Sequence, residues 1–207
     1  VLMLLSIFGL LLLVSANDFL ALYMSLELSS LALYVMAAFD RDDGYASEAG
    51  LKYFILGSLA SGMMLFGMSL IYGFSGTTNF TLLAELLAAG EPLTAGLAVG
   101  LVLLLVGFFF KISAVPFHMW TPDVYEGAPT PVVAFFAVVP KIAALVLLTR
   151  LLHEVFPAIQ MHWQPILIAV SMASMLVGAF GALGQTDIKR LLAYSSIGHI
   201  GYALMGV

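Results

Sequence analysis

An all-α protein that crosses a membrane several times is the fold this sequence predicts, on three observations. Apolar side chains make up 62% of the 207 residues and charged ones 9%, where soluble domains carry roughly 25% charged residues. The mean hydropathy is +1.10. The apolar residues gather into about seven segments, residues 2–15, 19–39, 49–74, 93–120, 132–152, 165–183 and 191–207. A helix needs roughly 20 residues to span the hydrocarbon core. The interior segments reach that length; the first and last fall short, and both stop at a chain end. The chain is therefore expected to be an internal stretch of a longer membrane protein. Its opening has no initiator Met and no basic stretch, so it does not read as a signal peptide.

The connections are short and polar. Asp40-Arg41-Asp42-Asp43-Gly44 separates the second and third segments. Within the third, Gly57 with Ser61 and Ser58 with Gly62 form small-xxx-small pairs, which suit close helix packing. Gly73-Phe74-Ser75-Gly76-Thr77-Thr78-Asn79 leaves it. Asn79 then suits the N-cap of a short helix over residues 80–87, too short to span and expected to lie at the interface. Glu91-Pro92 opens the fourth segment. At residues 93–120 this segment is too long for one straight crossing, and it holds Gly107, Lys111 and Pro116. Pro116 cannot donate to the carbonyl of Ile112. Irregular backbone at membrane depth survives only against protein or a water cavity, so a discontinuous helix over about residues 93–125 is predicted, with Lys111 near its break. The fifth segment repeats the pattern mildly, with Pro140 freeing the carbonyl of Phe136 just before Lys141. Arg41, Lys189 and Arg190 fall in loops on one side and Arg150 towards the other, which favours a cytoplasmic placement of loops 40–48 and 184–190.

A net charge of -5 argues against nucleic acid as a partner and provides no polybasic patch for lipid. The absence of cysteine excludes thiolate-ligated iron–sulfur clusters and disulfides within these residues. The lipid bilayer is the partner that the composition requires.

The candidate functional residues are the charges inside apolar runs. A fixed charge at the bilayer centre costs about 2.5–3.5 kcal/mol on insertion scales. Lys111 and Lys141 sit deepest. A buried lysine beside a movable carboxylate can switch between charged and neutral, which is what a proton relay needs. Glu27 shares a helical face with Tyr23 and Ser30. Lys52 follows Glu48 at i+4, so an interfacial lysine paired with Glu48 competes with a relay role. His118 and His199 suit proton transfer or, in a rival reading, haem ligation; each also suits a helix histidine bonded to a neighbour. His153 and His162 read as solvated loop residues, and Trp120 as part of an interfacial aromatic belt. Asp187, Lys189 and Arg190 read as a loop and helix start.

Two stretches carry a resemblance. Lys111-Ile112-Ser113-Ala114-Val115-Pro116-Phe117-His118-Met119-Trp120-Thr121-Pro122-Asp123-Val124-Tyr125, with its continuation to Val132, resembles the signature of the antiporter-like subunits of respiratory complex I. So does Asp187-Ile188-Lys189-Arg190-Leu191-Leu192-Ala193-Tyr194-Ser195-Ser196-Ile197-Gly198-His199. Trp120-Thr121-Pro122-Asp123-Val124-Tyr125 is similar to the subunit N branch of that family; the other branches and the Mrp antiporter subunits usually read Trp-Leu-Pro-Asp-Ala-His there. The resemblance implies inverted five-helix repeats, each with a broken helix. Residues 1–184 would hold the first repeat and the start of the next, and residues 185–207 a loop and helix of the second. It implies a proton relay through Glu27, Lys52, Lys111 and Lys141, in which Glu27 pairs with Lys52 or Lys111. It implies no cofactor in this chain, since NADH, FMN, the iron–sulfur clusters and quinone belong to other subunits. The implied partners are the neighbouring membrane-arm subunits, and the implied location is a bacterial inner membrane.

Other readings compete. A cation/proton antiporter of the Mrp type would use the same lysines, with Thr121 and Val124-Tyr125 speaking against it. A non-pumping scaffold would use the charges structurally. A haem or quinone oxidoreductase would need His118 and His199 as a pair on two helices, a pattern the sequence lacks.

Overall fold

The computed structural model describes residues 1–90 and 93–207; the expected fourth-segment opening at Glu91-Pro92 lies outside the described residues. The described residues form α1 (Leu2–Ser15), α2 (Phe19–Ala37), α3 (Gly44–Ser75), α4 (Phe80–Ala88), α5 (Ala95–Ile112), α6 (Trp120–Gly127), α7 (Thr130–Arg150), α8 (Gln160–Leu183) and α9 (Ile188–Met205). A π-turn, Leu151–Val155, and a 3-10 turn, Pro157–Ile159, join α7 to α8. Apart from an isolated antiparallel bridge between Asp18 and Asn79, no strand occurs among the described residues.

Every apolar segment is helical over most of its length. Five helical stretches are long and apolar enough to span: Phe19–Ala37, Gly44–Ser75, Ala95–Ile112, Thr130–Val155 and Pro157–Leu183. That is fewer than the seven segments expected to span. Helix α1 has 14 residues, and α9 opens with the polar Lys189 and Arg190.

Polar side chains set the helix starts. Asn79 accepts from the backbone N–H groups of Thr81 and Leu82, Asp187 from those of Lys189 and Arg190, and Asp43 from that of Tyr45. Each cap satisfies donors that the first turn leaves free. The Asp43 cap starts α3 at Gly44, ahead of the apolar run at Ala49. Helix α8 likewise starts at Gln160, so His162 lies on a helix and not in a loop.

The helices pair as α1 with α2, α3 with α5, and α8 with α9, while α6 packs against α3 and α9. In lipid there is no solvent to drive helices together, so close backbone approach does much of the work. Helices α3 and α5 touch at glycines: a Cβ on Gly67 would fall 2.6 Å from the Gly100 carbonyl oxygen and 2.7 Å from the Leu104 nitrogen. Backbone cannot rotate away as a side chain can. Gly67→Ala is therefore expected to destabilise by about 1–3 kcal/mol through overpacking. Gly62→Ala, on the outer face of the same helix with nothing within 4 Å, is expected to be neutral or slightly stabilising. Thermal unfolding of the detergent-solubilised protein compares the two, and equal midpoints would refute this packing. The two small-residue pairs divide the same way: Gly57 and Ser61 are buried, with Gly57 against the Tyr34 ring, and Ser58 and Gly62 face outward.

Charged groups collect at two ends. One end holds Glu48, Lys52, Asp123, Glu126, Lys189 and Arg190. At the other, Arg150 donates to the carbonyls of Val14 and Ala16 at 2.6 and 3.2 Å, closing the C-terminal end of α1. The loops grouped by charge in the sequence, 40–48 and 184–190, thus share an end.

Candidate functional site

The site forms around a break in one crossing. Helix α5 ends at Ile112 because Ser113 turns left-handed, at φ 65° and ψ 35°. The turn closes with the Ala114 N–H on the Phe109 carbonyl at 2.8 Å and the Ser113 N–H on the Phe110 carbonyl at 3.1 Å, a Schellman-type stop. Glycine is the usual residue there; serine in this conformation costs of order 1 kcal/mol. Pro116 stands three residues on, within the seven-residue link, and α6 resumes at Trp120. Two further donors of the link are bonded. The Val115 N–H donates to Ser174 Oγ of α8 at 2.9 Å, and the Phe117 N–H to the Ala114 carbonyl at 2.8 Å. The discontinuous helix expected near residues 93–125 is thus α5 and α6, one crossing in two pieces.

Lys111 lies in the last turn of α5, one residue before the stop. Its ammonium donates to Ser30 Oγ of α2 at 2.6 Å and lies 5.5 Å from the Tyr34 ring centre and 6.0 Å from that of Phe110. Ser30 in turn donates to the Leu26 carbonyl at 2.6 Å. Glu27 stands one turn before Ser30 on the same face, half-buried, and its Oε1 has no hydrogen-bond partner among the described residues. The Tyr34 and Ser61 hydroxyls, buried beside them, lack partners too.

Lys141 is 3% exposed, in the middle of α7. Its ammonium donates to Ser196 Oγ of α9 at 2.7 Å and lies 5.5 Å from the Tyr125 ring centre of α6. Among the described residues, neither Lys111 nor Lys141 has a carboxylate within 4 Å. Each is held by one hydroxyl and by aromatic faces, which attract a cation more weakly than a counter-charge does. Buried polar atoms without partners cluster near the break and α6: Ser113 Oγ, His118 Nδ1, Thr121 Oγ1 and the Tyr125 hydroxyl. Buried polar groups are normally bonded to protein or ordered water, so these atoms put unpaired polar groups beside the break in an otherwise apolar interior.

Lys52 is placed differently. It is 42% exposed and pairs with Glu48 and Asp123, both at 2.7 Å. Of the two lysines considered as partners for Glu27, Lys111 reaches the Ser30 hydroxyl one turn along α2, while Lys52 is held at the charged end. His118 lies half-buried in the break. His199 is exposed on α9, its Nδ1 2.7 Å from the Ser195 carbonyl of its own helix. His153 approaches the Val207 carbonyl at 2.9 Å. Among the described residues no group of three or more His, Asp or Glu side chains converges to hold a metal ion.

Trp120 corrects the expectation of an interfacial belt. It is 2% exposed, stacks on Tyr53 at 4.5 Å and 15°, and donates its indole N–H to the Phe110 carbonyl at 3.0 Å. The aromatic group Tyr34, Tyr53, Phe110, Trp120 and Phe136 claims it for the core. Sequence reasoning also missed the partners of the lysines. Ser30 had a signal, lying on the Glu27 face; Ser196, Tyr125 and Asp123 lay inside the two motifs without a stated role.

A crossing split beside a lysine, with a second lysine on the next helix and unpaired polar groups beside the break, defines an antiporter-like membrane module. The chain belongs to the NADH:quinone oxidoreductase/Mrp antiporter transmembrane family, whose model matches residues 16–207. It is 59% identical over 207 residues to NADH-quinone oxidoreductase subunit N of Rhodospirillum rubrum, covering all of this chain and 42% of that protein. Among solved structures it resembles a chain of respiratory complex I from Thermus thermophilus, at 41% identity and a TM-score of 0.83, covering 97% of this chain and 43% of that one. It also resembles a chain of the Mrp complex from Dietzia sp., at 28% identity and a TM-score of 0.88, covering 99% of this chain and 38% of that one. The chain thus spans less than half the length of the curated relatives it matches.

Proposed function

We propose that this chain is the proton-translocating part of a subunit N-type membrane component of an NADH:quinone oxidoreductase, in a bacterial plasma membrane among other membrane-arm subunits. The observation that carries the reading is the pair Lys111, half-buried, and Lys141, buried, each inside an apolar helix on a hydroxyl partner and, among the described residues, without a carboxylate within 4 Å. A carboxylate that approaches such a lysine holds its proton; one that withdraws lets the proton go. Glu27, one turn from the hydroxyl that Lys111 occupies, is placed to do this. A proton released by Lys111 has the polar groups beside the break to move along, and Lys141 to receive it. Lys52, His118 and His199 belong to this relay only as outer or auxiliary groups. Electron transfer takes place in other subunits. Residues 1–184 are assigned to the first repeat with the start of the next, and residues 185–207 to a loop and helix of the second, on the family resemblance.

The backbone likeness to an Mrp complex keeps a cation/proton antiporter as the second reading; the higher identity to subunit N relatives favours the first.

Lys141→Met in the full-length subunit tests the proposal. In sealed vesicles carrying the assembled complex, NADH-driven proton pumping is expected to fall to a small fraction of the parent's, while NADH oxidation by a water-soluble acceptor stays unchanged. Full pumping by an intact complex would overturn it. Sodium-driven proton exchange without any redox subunit would favour the antiporter.

A further inference from the structure

The broken helix is fastened at its second half by charges that the lysine relay leaves unused. Helix α6 is only 8 residues long, too short to hold itself in place. Asp123 bridges two other helices: its Oδ2 accepts from Lys52 of α3 at 2.7 Å, and its Oδ1 forms an ion pair with Arg190 of α9 at 3.1 Å. Arg190 also donates to Glu126 at 2.6 Å. Lys189 donates to the carbonyls of Glu126 and Ala128, both at 3.0 Å, closing the C-terminal end of α6 where the helix dipole favours a cation. Lys52, Asp123, Glu126 and Arg190 line a cavity of about 280 Å³ at this end of the bundle.

Two residues from Asp123, on the inner side of the same short helix, Tyr125 is buried at 1% exposure. Its ring lies against the Lys141 ammonium, and its hydroxyl has no partner among the described residues. Ser196, which accepts from Lys141, stands on α9, six residues after Arg190. Arg190 and Ser196 therefore ride on one helix, and Asp123 and Tyr125 on another. The ion pairs outside and the lysine contacts inside are made by the same two elements. Rotating α6 far enough to part Asp123 from Arg190 would also carry Tyr125 off Lys141.

We propose that Asp123 is a positioning residue for Lys141: by pairing with Lys52 and Arg190 together, it sets α6 at the angle at which Tyr125 covers the Lys141 ammonium. The inference rests on the proposed pumping role of Lys141. Asp123 touches no transferred proton on this view; it acts through Tyr125. Opening the clasp would let Lys141 exchange protons out of step with Lys111, so leakage replaces directed transfer.

The test uses the full-length subunit in the assembled complex, in sealed vesicles, reading the rate of NADH-driven pumping against NADH oxidation. Asp123→Asn and Tyr125→Ala are each expected to lower pumping by about threefold, in the range over which residues outside a site modulate coupling. Asp123→Glu, which keeps both ion pairs, is expected to restore most of it. The double variant is expected to be no worse than either single one, because both break one device. Normal pumping in Asp123→Asn, or losses that multiply in the double variant, would overturn the inference. Should Asp123→Asn fail to assemble, Arg190→Gln reads the same clasp while leaving the Lys52–Asp123 pair in place, and normal pumping there overturns it equally. Lys141→Met in the same assay separates the two levels. If it pumps normally, the pumping role fails; if it does not pump while the clasp variants pump normally, only the positioning role fails.

Discussion

Lys111→Met is expected to abolish proton translocation in the complete, assembled complex while leaving NADH oxidation by a soluble acceptor intact. Methionine has nearly the length of the lysine stem and packs well in apolar surroundings, so the end of α5 keeps its shape. What disappears is the proposed lysine proton carrier at the break. The Ser30 hydroxyl loses a donor but keeps its own bond to the Leu26 carbonyl. Glu27 is left facing no cation, since Lys52 is held by Glu48 and Asp123. A companion variant separates charge from switching. Lys111→Arg keeps a cation at the same place but does not give up its proton, so it is expected to assemble and still not pump. Lys111→Arg that pumps at the parent rate would show that a fixed charge suffices, and the relay through this residue would fall. Vesicle pumping measured beside an assembly check on native gels reads both variants.

Trp120→Ala is expected to give the largest loss of stability of any single change near the break. Removing a buried tryptophan costs about 3–5 kcal/mol, because the cavity left behind closes only in part. Three contacts go together: the stack on Tyr53 at 4.5 Å, the tilted contact with Phe110 at 5.5 Å, and the indole bond to the Phe110 carbonyl. That carbonyl keeps the Ser113 N–H, so it is not orphaned. The loss is of packing and of the only side-chain hydrogen bond, among the described residues, between α6 and α5. Trp120→Phe keeps a ring and is expected to cost about 1–2 kcal/mol, mainly the lost hydrogen bond and part of the volume. The thermal midpoint of the purified complex, or the fraction of subunit found assembled, distinguishes the two. Parent-like stability for Trp120→Ala would show that the aromatic group does not hold the break together.

The caps illustrate what was legible before any coordinates. Asn79 needed only its own side chain and the next two residues to start α4. Asp187 needed the same to start α9. The break was legible from Gly107, Lys111 and Pro116 because each acts within one turn of chain. The stop itself falls at Ser113, a residue with no propensity for a left-handed turn, and only the surrounding packing selects it. The segment ends were less legible where a polar cap precedes the apolar run, as at Asp43, or where a turn is wound as helix, as before Pro165. The interfacial role expected of Trp120 failed because amphipathic rings suit both a membrane surface and a core. A carbonyl and a facing ring decided between them.

By itself the sequence determined that this is a helical membrane protein, where its apolar helices lie, that one crossing is split beside Lys111, and which ionisable groups sit at depth. Hydropathy, capping and proline chemistry are local, acting between residues within a turn or two. The tertiary structure alone decided who meets whom. Lys111 reaches Ser30 across 81 residues of chain, Lys52 reaches Asp123 across 71, and Lys141 reaches Ser196 across 55. Such pairings depend on how each helix is rotated about its axis and how closely its neighbours approach. Small residues such as Gly67 and Gly100 set that approach, and the choice among several hydroxyls and carboxylates of equal chemistry follows from it.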